Sequence, residues 1–473
     1  MRKTKIICTI GPASQNKSTI EAMLKAGMNV ARLNFSHGEH ATHKKVIEMF
    51  REVRDKMGIA AAVLLDTKGP EVRIKNIEAG EVTLLEGDTF VLTAREVAGN
   101  EKEVSVTYKD LPSQLKAGNR VLIDDGKIQL IVKETTETDV ICTVKYGGTL
   151  RSKKSINVPY VRLDMPYLSE RDKEDLRFGV EMNVDFVAAS FVRCKEDVIA
   201  LRKYLDYYGG HSIKIISKIE NNDGVENFDE ILKYSDGIMV ARGDMGVEIE
   251  FERLPGIQKQ FIRRCYQSGK MVICATQMLE SMISAATPTR AEITDVANAV
   301  FDGTSAVMLS GETAMGKHPA LVVKTMAKIV TQAEKDAIKL RVYDGIPYER
   351  EDGDITTAIC DAACTTASDL GAAALIAVTK SGYTARRMSK FRPAQAIIAA
   401  TPDVKSFHQL SMSWGVLPVL ARDQFDTDAL FLHAIDCAKQ VDAVRSGDTV
   451  VISAGVPLNI EGMTNLLKVQ LVK

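Results

Sequence analysis

The stretch IISKIENND, residues 215–223, ends an apolar run with a lysine and a glutamate two positions apart. Side chains alternate between the two faces of a β-strand, so Lys218 and Glu220 are predicted to point the same way. A lone pair of this kind is usually a surface ion pair of small energetic value. Here, however, the next apolar run, GIMVARGD, ends with Asp244. Glu220 and Asp244 could share Mg²⁺ or Mn²⁺, with Lys218 beside the metal to stabilise an oxyanion or a transferring phosphoryl group.

Polar residues also follow the other apolar runs of the same region, and they suit anionic ligands. Arg32 and Arg73 carry forked donors that match carboxylate and phosphate oxygens. Gly243 and Asp244 offer main-chain N–H groups for a small carboxylate, and Thr276 adds a hydroxyl. The remaining residues at these positions are Asn34, Ser36, Asp66, Thr67, Ser190, Arg242, Ser310 and Glu312. The set predicts a site for a small, multiply anionic phosphorylated acid that uses a hard metal ion.

The elements that would position these residues alternate as strand and helix, which predicts an α/β fold with a parallel sheet. Eight apolar runs are found, the number that closes a (β/α)8 TIM barrel, whose strand ends converge on one mouth. The barrel is expected over residues 1–70 and 168–343. Short strands and turns over 71–167 predict an inserted small β-barrel domain. A charged, Gly- and Pro-containing linker at 341–354 precedes a C-terminal doubly wound α/β domain, residues 344–473.

Composition excludes several classes of protein. The net charge is -1, which does not favour a nucleic-acid partner. No run is long enough to cross a membrane and no signal peptide is expected. The eight cysteines form no C-x-x-C pair, as is typical of a reducing cytoplasm. Cys360 and Cys364 are interpreted as packed core thiols rather than half of a metal site. His40 and His43 are interpreted as surface residues and not as metal ligands. Side chains spaced by three residues spiral around a helix, so they cannot hold one ion well.

The same motifs resemble the pyruvate kinase family over nearly the whole chain. The similar blocks are ARLNFSHG, LDTKGPEVR, IISKIENNDGV, IMVARGDMGVE, ICATQMLESM, PTRAEITDVANAVFDGTSAVMLSGETA and VTKSGYTARRMSKFRP. The resemblance implies transfer of the phosphoryl group of phosphoenolpyruvate to ADP, which gives pyruvate and ATP. By the same resemblance, Lys218 stabilises the phosphoryl group and the enolate, and Glu220 and Asp244 hold Mg²⁺. Gly243, Asp244 and Thr276 would contact the substrate carboxylate.

Further roles are implied by the resemblance alone. A K⁺ site is implied at Asn34, Ser36, Asp66 and Thr67, and phosphate and nucleotide contacts at Arg32, Asn34, His37, Arg73 and Lys154. Glu71 resembles the K⁺-dependent version of its motif, although it could equally be a solvated hinge residue. The resemblance further implies a homotetramer of the bacterial type without an extra C-terminal segment. The proton donor to the enolate stays open, since neither Thr276 nor Ser310 is a convincing acid.

Regulation is expected at the segment TKSGYT of the C-terminal domain. Its residues, which resemble an allosteric sugar-phosphate pocket and offer hydroxyls and main-chain N–H groups to a phosphate, are Thr379, Lys380, Ser381, Gly382, Tyr383 and Thr384. Glu461 lies on the opposing loop and would repel a second phosphate. We therefore expect activation by a monophosphate, such as a pentose phosphate, a hexose phosphate or AMP, rather than by fructose 1,6-bisphosphate. A glycine expected after Pro159 is missing, which predicts a stiffer hinge for the inserted domain.

Two other functions fit part of this pattern. A barrel lyase or aldolase acting on pyruvate enolates would use Glu220 and Asp244, but it would need neither Arg73, Lys154 nor an inserted domain. A non-catalytic effector sensor would use only the C-terminal pocket and gives no reason to keep Lys218 beside two carboxylates. A requirement for ADP separates the kinase from the lyase.

Overall fold

The computed structural model describes residues 1–343, 353–458 and 463–473, and it begins with the strand–helix alternation expected from the sequence. The first elements are β1 (Lys5–Thr9), α1 (Lys17–Ala26), β2 (Val30–Asn34), α2 (His40–Lys56) and β3 (Ala62–Asp66). The strands are buried almost throughout, as parallel strands covered on both faces must be. Helix α1 begins where the Asn16 side chain accepts from the N–H of Thr19, and it ends at Gly27, whose φ is +119°.

The inserted domain follows β3 and consists of short strands. Its elements are β4 (Val72–Arg73), β5 (Glu81–Leu84), β6 (Thr89–Thr93), β7 (Glu103–Ser105), α3 (Leu111–Gln114), β8 (Arg120–Ile123), β9 (Ile128–Thr135), β10 (Asp139–Tyr146), β11 (Gly148–Arg151) and β12 (Ser155–Asn157). Seven strands form one sheet in the order β4-β12-β8-β9-β10-β6-β7. Main-chain bonds from Thr107 to Arg73 and from Lys75 to Ser105 join its two edges, so the sheet closes on itself around its own apolar core.

The chain then returns to complete the large barrel. The elements are α4 (Glu170–Glu181), β13 (Phe186–Ala189), α5 (Lys195–Tyr207), β14 (Lys214–Ile219), α6 (Asn222–Glu226), α7 (Phe228–Tyr234), β15 (Gly237–Ala241), α8 (Arg242–Glu248), α9 (Leu254–Ser268), β16 (Met271–Ala275), α10 (Arg290–Phe301), β17 (Ala306–Leu309), α11 (Gly311–Ala314) and α12 (Pro319–Lys339). Eight parallel strands close in the order β1-β17-β16-β15-β14-β13-β3-β2. The predicted (β/α)8 barrel is confirmed.

Alternation along the barrel strands separates two apolar layers. On β1, Ile7 belongs to the interior cluster, whereas Ile6 and Cys8 pack under the surrounding helices. Met412, from the C-terminal domain, belongs to the interior cluster and is fully buried. Because Lys5, at the amino end of β1, also contacts the C-terminal domain, that domain covers the amino ends of the strands. The carboxyl ends are therefore the ones that bear the candidate site.

The C-terminal domain is a five-stranded sheet with helices on both faces. Its elements are α13 (Ile355–Asp369), β18 (Ala374–Val378), α14 (Tyr383–Lys390), β19 (Ala396–Thr401), α15 (Val404–Gln409), β20 (Val416–Leu420), α16 (Thr427–Gln440), β21 (Thr449–Ala454) and β22 (Leu466–Leu471). The strand order is β20-β19-β18-β21-β22, and only β22 runs antiparallel to its neighbour. Separate apolar clusters lie on the two sheet faces, as a doubly wound fold requires.

Cys360 and Cys364 are buried on α13 with their sulfurs near the carbonyls of Thr384 and Met388, which confirms that they are core thiols. Most of the predicted linker, residues 344–352, lies outside the described residues. None of the helices in the described ranges is long and apolar enough to span a bilayer.

Candidate active site at the carboxyl ends of the barrel strands

Lys218, near the end of β14, is the centre of a buried polar cluster. Its Nζ lies 3.1 Å from Oδ1 of Asp66, 2.7 Å from Oγ of Ser190 and 2.9 Å from Oε1 of Glu220. Burial alone would lower the pKa of Lys218, but Asp66 and Glu220 outweigh it and raise that pKa. The ammonium group is therefore held charged in a site from which most water is excluded.

Asp66 connects this ammonium group to a guanidinium. Nε of Arg32 donates to Oδ2 of Asp66 at 2.6 Å, and Nη1 of Arg32 donates to Thr9 at 2.8 Å. Although burial would raise the pKa of Asp66, Arg32 and Lys218 together lower it. One ionised carboxylate thus fixes two cations at the mouth of the barrel, the arrangement that a multiply anionic substrate needs.

The two carboxylate oxygens of Glu220 have different surroundings. The main-chain N–H of Phe191 donates to Oε2 at 2.7 Å, whereas Oε1 is buried without a hydrogen bond among the described residues, although Lys218 lies within ion-pair distance. Burial raises the pKa of Glu220 to about 8; Lys218 opposes this and Asp244 adds to it. A divalent cation would reverse that preference, so Glu220 and Asp244 fit the predicted Mg²⁺ or Mn²⁺ site.

Within the described ranges, no group of three or more His, Cys, Asp or Glu side chains is arranged to hold a metal ion. A cation at Glu220 and Asp244 would accordingly take its other ligands from water and substrate oxygens, as Mg²⁺ commonly does. His40 and His43 form no such group. They are also more than surface residues: His40 pairs with Asp175 at 2.5 Å, and the ring of His43 stacks on Phe35 at 4.0 Å.

Gly243 and Thr276 meet beside Asp244. The N–H of Gly243, in the first turn of α8, donates to Oγ1 of Thr276 at 2.8 Å. The Thr276 hydroxyl donates in turn to the carbonyl of Ala275 at 2.7 Å. Thr276 follows β16 directly and has φ +67°, an uncommon conformation for a β-branched residue.

The structure brings only half of the implied K⁺ ligands to the open cleft. Asn34 and Ser36 line it, and the Asn34 side chain accepts from the N–H of Ser36 at 3.1 Å. Asp66 and Thr67 do not line the cleft; the Asp66 carboxylate pairs with the charged groups of Arg32 and Lys218. The Thr67 hydroxyl accepts from the N–H of Ser190 at 3.1 Å.

Two of the nucleotide residues implied by the resemblance, His37 of the barrel and Arg73 of the inserted domain, line the cleft from its two sides. Arg73, on β4, donates through Nε to Glu71 at 2.8 Å and through Nη1 to the carbonyl of Lys153 at 2.7 Å. Glu71 is therefore an ion-pair partner and not a solvated hinge residue. His37 is exposed at the rim, and Lys154 pairs with Asp124 at 2.8 Å.

The cleft between barrel and inserted domain has a volume of about 320 Å³. It is lined by Arg32, Lys218, Glu220 and Asp244 of the barrel and by Arg73, Asp125 and Asn157 of the inserted domain. The side chain of Asn157 donates to Glu248, at the end of α8, at 2.8 Å. The inserted domain thus contacts the helix that carries Asp244, as a lid over the site would.

Two rim charges predicted from the sequence do not face the cleft. Arg242 turns to Asp295 and to the carbonyls that follow β16. Glu312 is buried, where it accepts from the N–H groups of Ser310 and Leu279. The prediction that these two side chains face the mouth of the barrel is wrong. Each side chain instead binds main-chain groups of the loops next to its own strand.

Sequence reasoning assigned no role to two groups that position the cluster. Ser190 receives the Lys218 ammonium group and donates to the carbonyl of Thr67 at 2.7 Å. Phe191, with φ +53°, presents its N–H to Glu220. Ser190 follows β13 directly and was named by that position, although without a role, whereas nothing in the sequence signals the backbone conformation of Phe191.

The segment predicted to bind an effector lines a second cavity, of about 90 Å³, in the C-terminal domain. Five of the six predicted residues line it, namely Thr379, Lys380, Ser381, Tyr383 and Thr384, together with Arg422, His433 and Thr464. Gly382 supplies the turn into α14 with φ +76°. Glu461, on which the effector preference depends, lies outside the described residues.

Comparison with known proteins covers both parts of the chain. Residues 1–323 match the family described as pyruvate kinase, barrel domain, and residues 357–470 match pyruvate kinase, alpha/beta domain. The pyruvate kinase of Clostridium acetobutylicum is 48% identical over 477 residues that cover all of both chains. Those of Staphylococcus saprophyticus and Staphylococcus aureus are each 46% identical, over the whole of this chain and 81% of theirs.

Proposed function

Since the chain belongs to the pyruvate kinase family and is a phosphotransferase of that type, we propose that Lys218, Glu220 and Asp244 carry its phosphoryl transfer from phosphoenolpyruvate to ADP. The observation that supports this most is the ammonium group of Lys218 within 3.1 Å of Asp66, Ser190 and Glu220 at the open end of the barrel. Phosphoryl transfer needs in-line positioning and charge neutralisation rather than covalent help, and these side chains supply both.

In the proposed reaction, Lys218 and Arg32 bind the phosphoryl oxygens from one side. Lys218 then stays against the enolate oxygen as the phosphoryl group leaves, so it stabilises negative charge on both fragments. The N–H of Asp244 and the Thr276 hydroxyl hold the carboxylate end of the substrate; the hydroxyl rotates away from the carbonyl of Ala275 while its oxygen still accepts from the N–H of Gly243. Carbon protonation completes pyruvate, with the donor unassigned because neither Thr276 nor Ser310 is a convincing acid.

Glu220 and Asp244 would hold Mg²⁺ or Mn²⁺, which supplies a positive charge that neutralises the phosphoryl oxygens. The buried Oε1 of Glu220, which has no hydrogen bond and lies 2.9 Å from the Lys218 ammonium group, supports this assignment. A K⁺ site at Asn34, Ser36, Asp66 and Thr67 is proposed from the resemblance.

ADP is proposed to enter the cleft between barrel and inserted domain, where His37 and Arg73 lie. Arg73 must then exchange its contact with Glu71 for phosphate oxygens, and Lys154 must leave Asp124. Both changes are small side-chain movements that closure of the inserted domain would favour, and closure would also exclude water.

Regulation is proposed at the cavity lined by Thr379, Lys380, Ser381, Tyr383 and Thr384. The proposed activator is a metabolite that carries one phosphate group. Hydroxyls and one lysine around a glycine turn support phosphate binding there. We further propose a homotetramer in the cytoplasm. All eight cysteines are free thiols, which agrees with a reducing compartment.

The experiment is a coupled assay of pyruvate formation from phosphoenolpyruvate with the full chain. The wild type should require ADP, and Lys218→Met should lower kcat by about 10²- to 10³-fold or more while phosphoenolpyruvate still binds, as measured by calorimetry. Lys214→Met is the matched control, because Lys214 lies on the same strand but pairs with Asp236 at 3.2 Å. Pyruvate formation without ADP would instead favour the lyase, and an unchanged kcat in Lys218→Met would refute the assignment.

A further inference from the structure

Two consecutive residues after β16 have left-handed backbone conformations. Thr276 has φ +67° and Gln277 has φ +54°. Neither is a glycine, and for the β-branched Thr276 this region is strongly disfavoured. Such a conformation persists only where the surrounding structure enforces it. Some group near this turn must therefore hold it.

Arg242 contacts the main chain of this turn at two points. Its Nε donates to the carbonyl of Ala275 at 3.0 Å, and its Nη2 donates to the carbonyl of Thr276 at 2.5 Å. Both acceptors are main-chain groups of the turn itself, on either side of the strained Thr276 backbone. The guanidinium therefore clamps the two peptide units whose orientation defines the turn.

The clamp is itself anchored. Nη1 of Arg242 lies 2.7 Å from both carboxylate oxygens of Asp295, on α10. The Arg242 side chain is only 11% exposed, so its position is set by these contacts and not by solvent. The Asp295 side chain is 34% exposed, but its two oxygens receive the same guanidinium nitrogen, and a charge-assisted contact of this kind fixes the direction of the guanidinium.

The turn decides where the Thr276 hydroxyl lies. In the clamped conformation, Oγ1 accepts from the N–H of Gly243 at 2.8 Å, next to Asp244. A relaxed turn would rotate the side chain away from Gly243, because χ1 and the backbone move together in a β-branched residue. The contact thus depends on Arg242, which lies one residue before Gly243.

We infer that Arg242, anchored by Asp295, is a positioning residue for the reaction, which holds the Thr276 hydroxyl against Gly243 on the substrate-carboxylate side of the site. Arg242 touches no substrate in this proposal; it acts through Thr276. The inference rests on the proposed function, since it assigns a further residue to the same phosphoryl-transfer site.

The test is a double-mutant cycle with Arg242→Gln, Thr276→Ala and the double variant, measured as kcat and KM in the full chain. Arg242→Gln should lower kcat by about 10- to 100-fold, the cost of misplacing a contact by about 1 Å, while KM for ADP stays within about twofold. In the Thr276→Ala background the same change should cost less than about threefold, because residues that act as a unit are non-additive. Equal losses in both backgrounds, or a loss confined to KM for ADP, would overturn the inference.

Two controls separate a loss of positioning from a loss of folding. Arg264→Gln removes a guanidinium that pairs with Asp229 at 2.9 Å on the outside of the same barrel, and it should leave kcat unchanged. If Arg242→Gln does not fold, Asp295→Asn replaces it in the cycle with the same non-additivity expected. A wild type without ADP-dependent activity would refute the proposed function, whereas additive variants of an active wild type would refute only the role of Arg242.

Discussion

The main-chain N–H of Phe191 lies 2.7 Å from Oε2 of Glu220 and fixes this carboxylate from behind. Phe191 adopts φ +53° to make the contact, a conformation that costs about 1–3 kcal/mol in a non-glycine residue. The other oxygen, Oε1, is buried without a hydrogen bond and lies 2.9 Å from Nζ of Lys218. Glu220 is therefore oriented as a ligand before any cation binds.

Glu220→Gln should weaken binding of Mn²⁺, used as the probe metal, by at least about 100-fold, since loss even of outer contacts to a ligand costs 10- to 100-fold. Asp244→Asn should act similarly. Titration followed by the electron paramagnetic resonance of free Mn²⁺ measures this without an activity assay. Glu248→Gln is the control, because Glu248 lines the same cleft but pairs with Asn157. Equal affinity in all three variants would contradict the metal assignment.

The hinge of the inserted domain carries a tyrosine where a glycine was expected. Tyr160 has φ +64°, so the expectation of a glycine identified a real backbone constraint. Burial, with the neighbouring Glu250 carboxylate adding to it, raises the pKa of Tyr160. Glu250 follows the helix that carries Asp244, so Tyr160 lies where the hinge approaches that helix.

Tyr160→Gly should raise KM for ADP by about two- to fivefold, because it frees the backbone of the hinge, and Tyr160→Phe, which keeps the ring and the backbone constraint, should raise it less. Steady-state kinetics at saturating phosphoenolpyruvate measures both. Asp442→Gly provides the control, since Asp442 has φ +52° in the C-terminal domain, remote from the hinge. A KM for ADP that stays at the wild-type value in Tyr160→Gly would mean that this hinge does not limit closure.

The sequence predicted the barrel, its inserted domain and the ends of the strands, because buried parallel strands carry a continuous apolar signal. Lys218 and Glu220 followed from the two-residue period of a strand. The directions of Arg242 and Glu312 did not follow, because both occupy rim positions but satisfy loop main-chain groups instead.

Backbone conformation was the other feature of the site that could not be predicted from the sequence. Phe191 and Thr276 adopt left-handed φ values without being glycines, so the sequence gives no sign of them. Their conformations arise from contacts with residues far away in the chain, such as Glu220 and Arg242. Pair contacts of this kind are set by the closed barrel and not by local propensity.

Effector preference should depend on Glu461. The wild type is expected to respond to a monophosphate, such as ribose 5-phosphate, glucose 6-phosphate or AMP, at least about tenfold better than to fructose 1,6-bisphosphate. Removing the repulsion in Glu461→Ser should improve the bisphosphate response by about tenfold, which corresponds to about 1.4 kcal/mol. Activation titrations measure both, and Lys380→Gln should weaken both responses because Lys380 lines the cavity. A micromolar response of the wild type to the bisphosphate alone would refute the prediction.

Stability should rise with pH because of Lys5, whose Nζ donates to the carbonyl of Val416 at 2.6 Å between the barrel and the C-terminal domain. Burial, followed by the charge of Arg2, lowers the pKa of Lys5 to about 7, although Glu334 opposes this. Below pH 7 the folded and unfolded chains both carry the proton. Between about pH 7 and the ordinary lysine value only the unfolded chain keeps it, so folding becomes more favourable as pH rises.

The variant Lys5→Met lacks this titration. From pH 7 to 9, the free energy of unfolding of the wild type should therefore rise relative to that of Lys5→Met, by up to about 1.4 kcal/mol per pH unit. Urea unfolding followed by Trp414 fluorescence is a suitable measurement, because this tryptophan is the single one in the chain and lies beside Lys3 at the same interface. Lys25→Met removes an exposed lysine paired with Glu21. Its free energy of unfolding should change with pH as that of the wild type does. If the free energy of unfolding of Lys5→Met changes with pH as that of the wild type does, Lys5 does not lose its proton in the folded chain over this pH range.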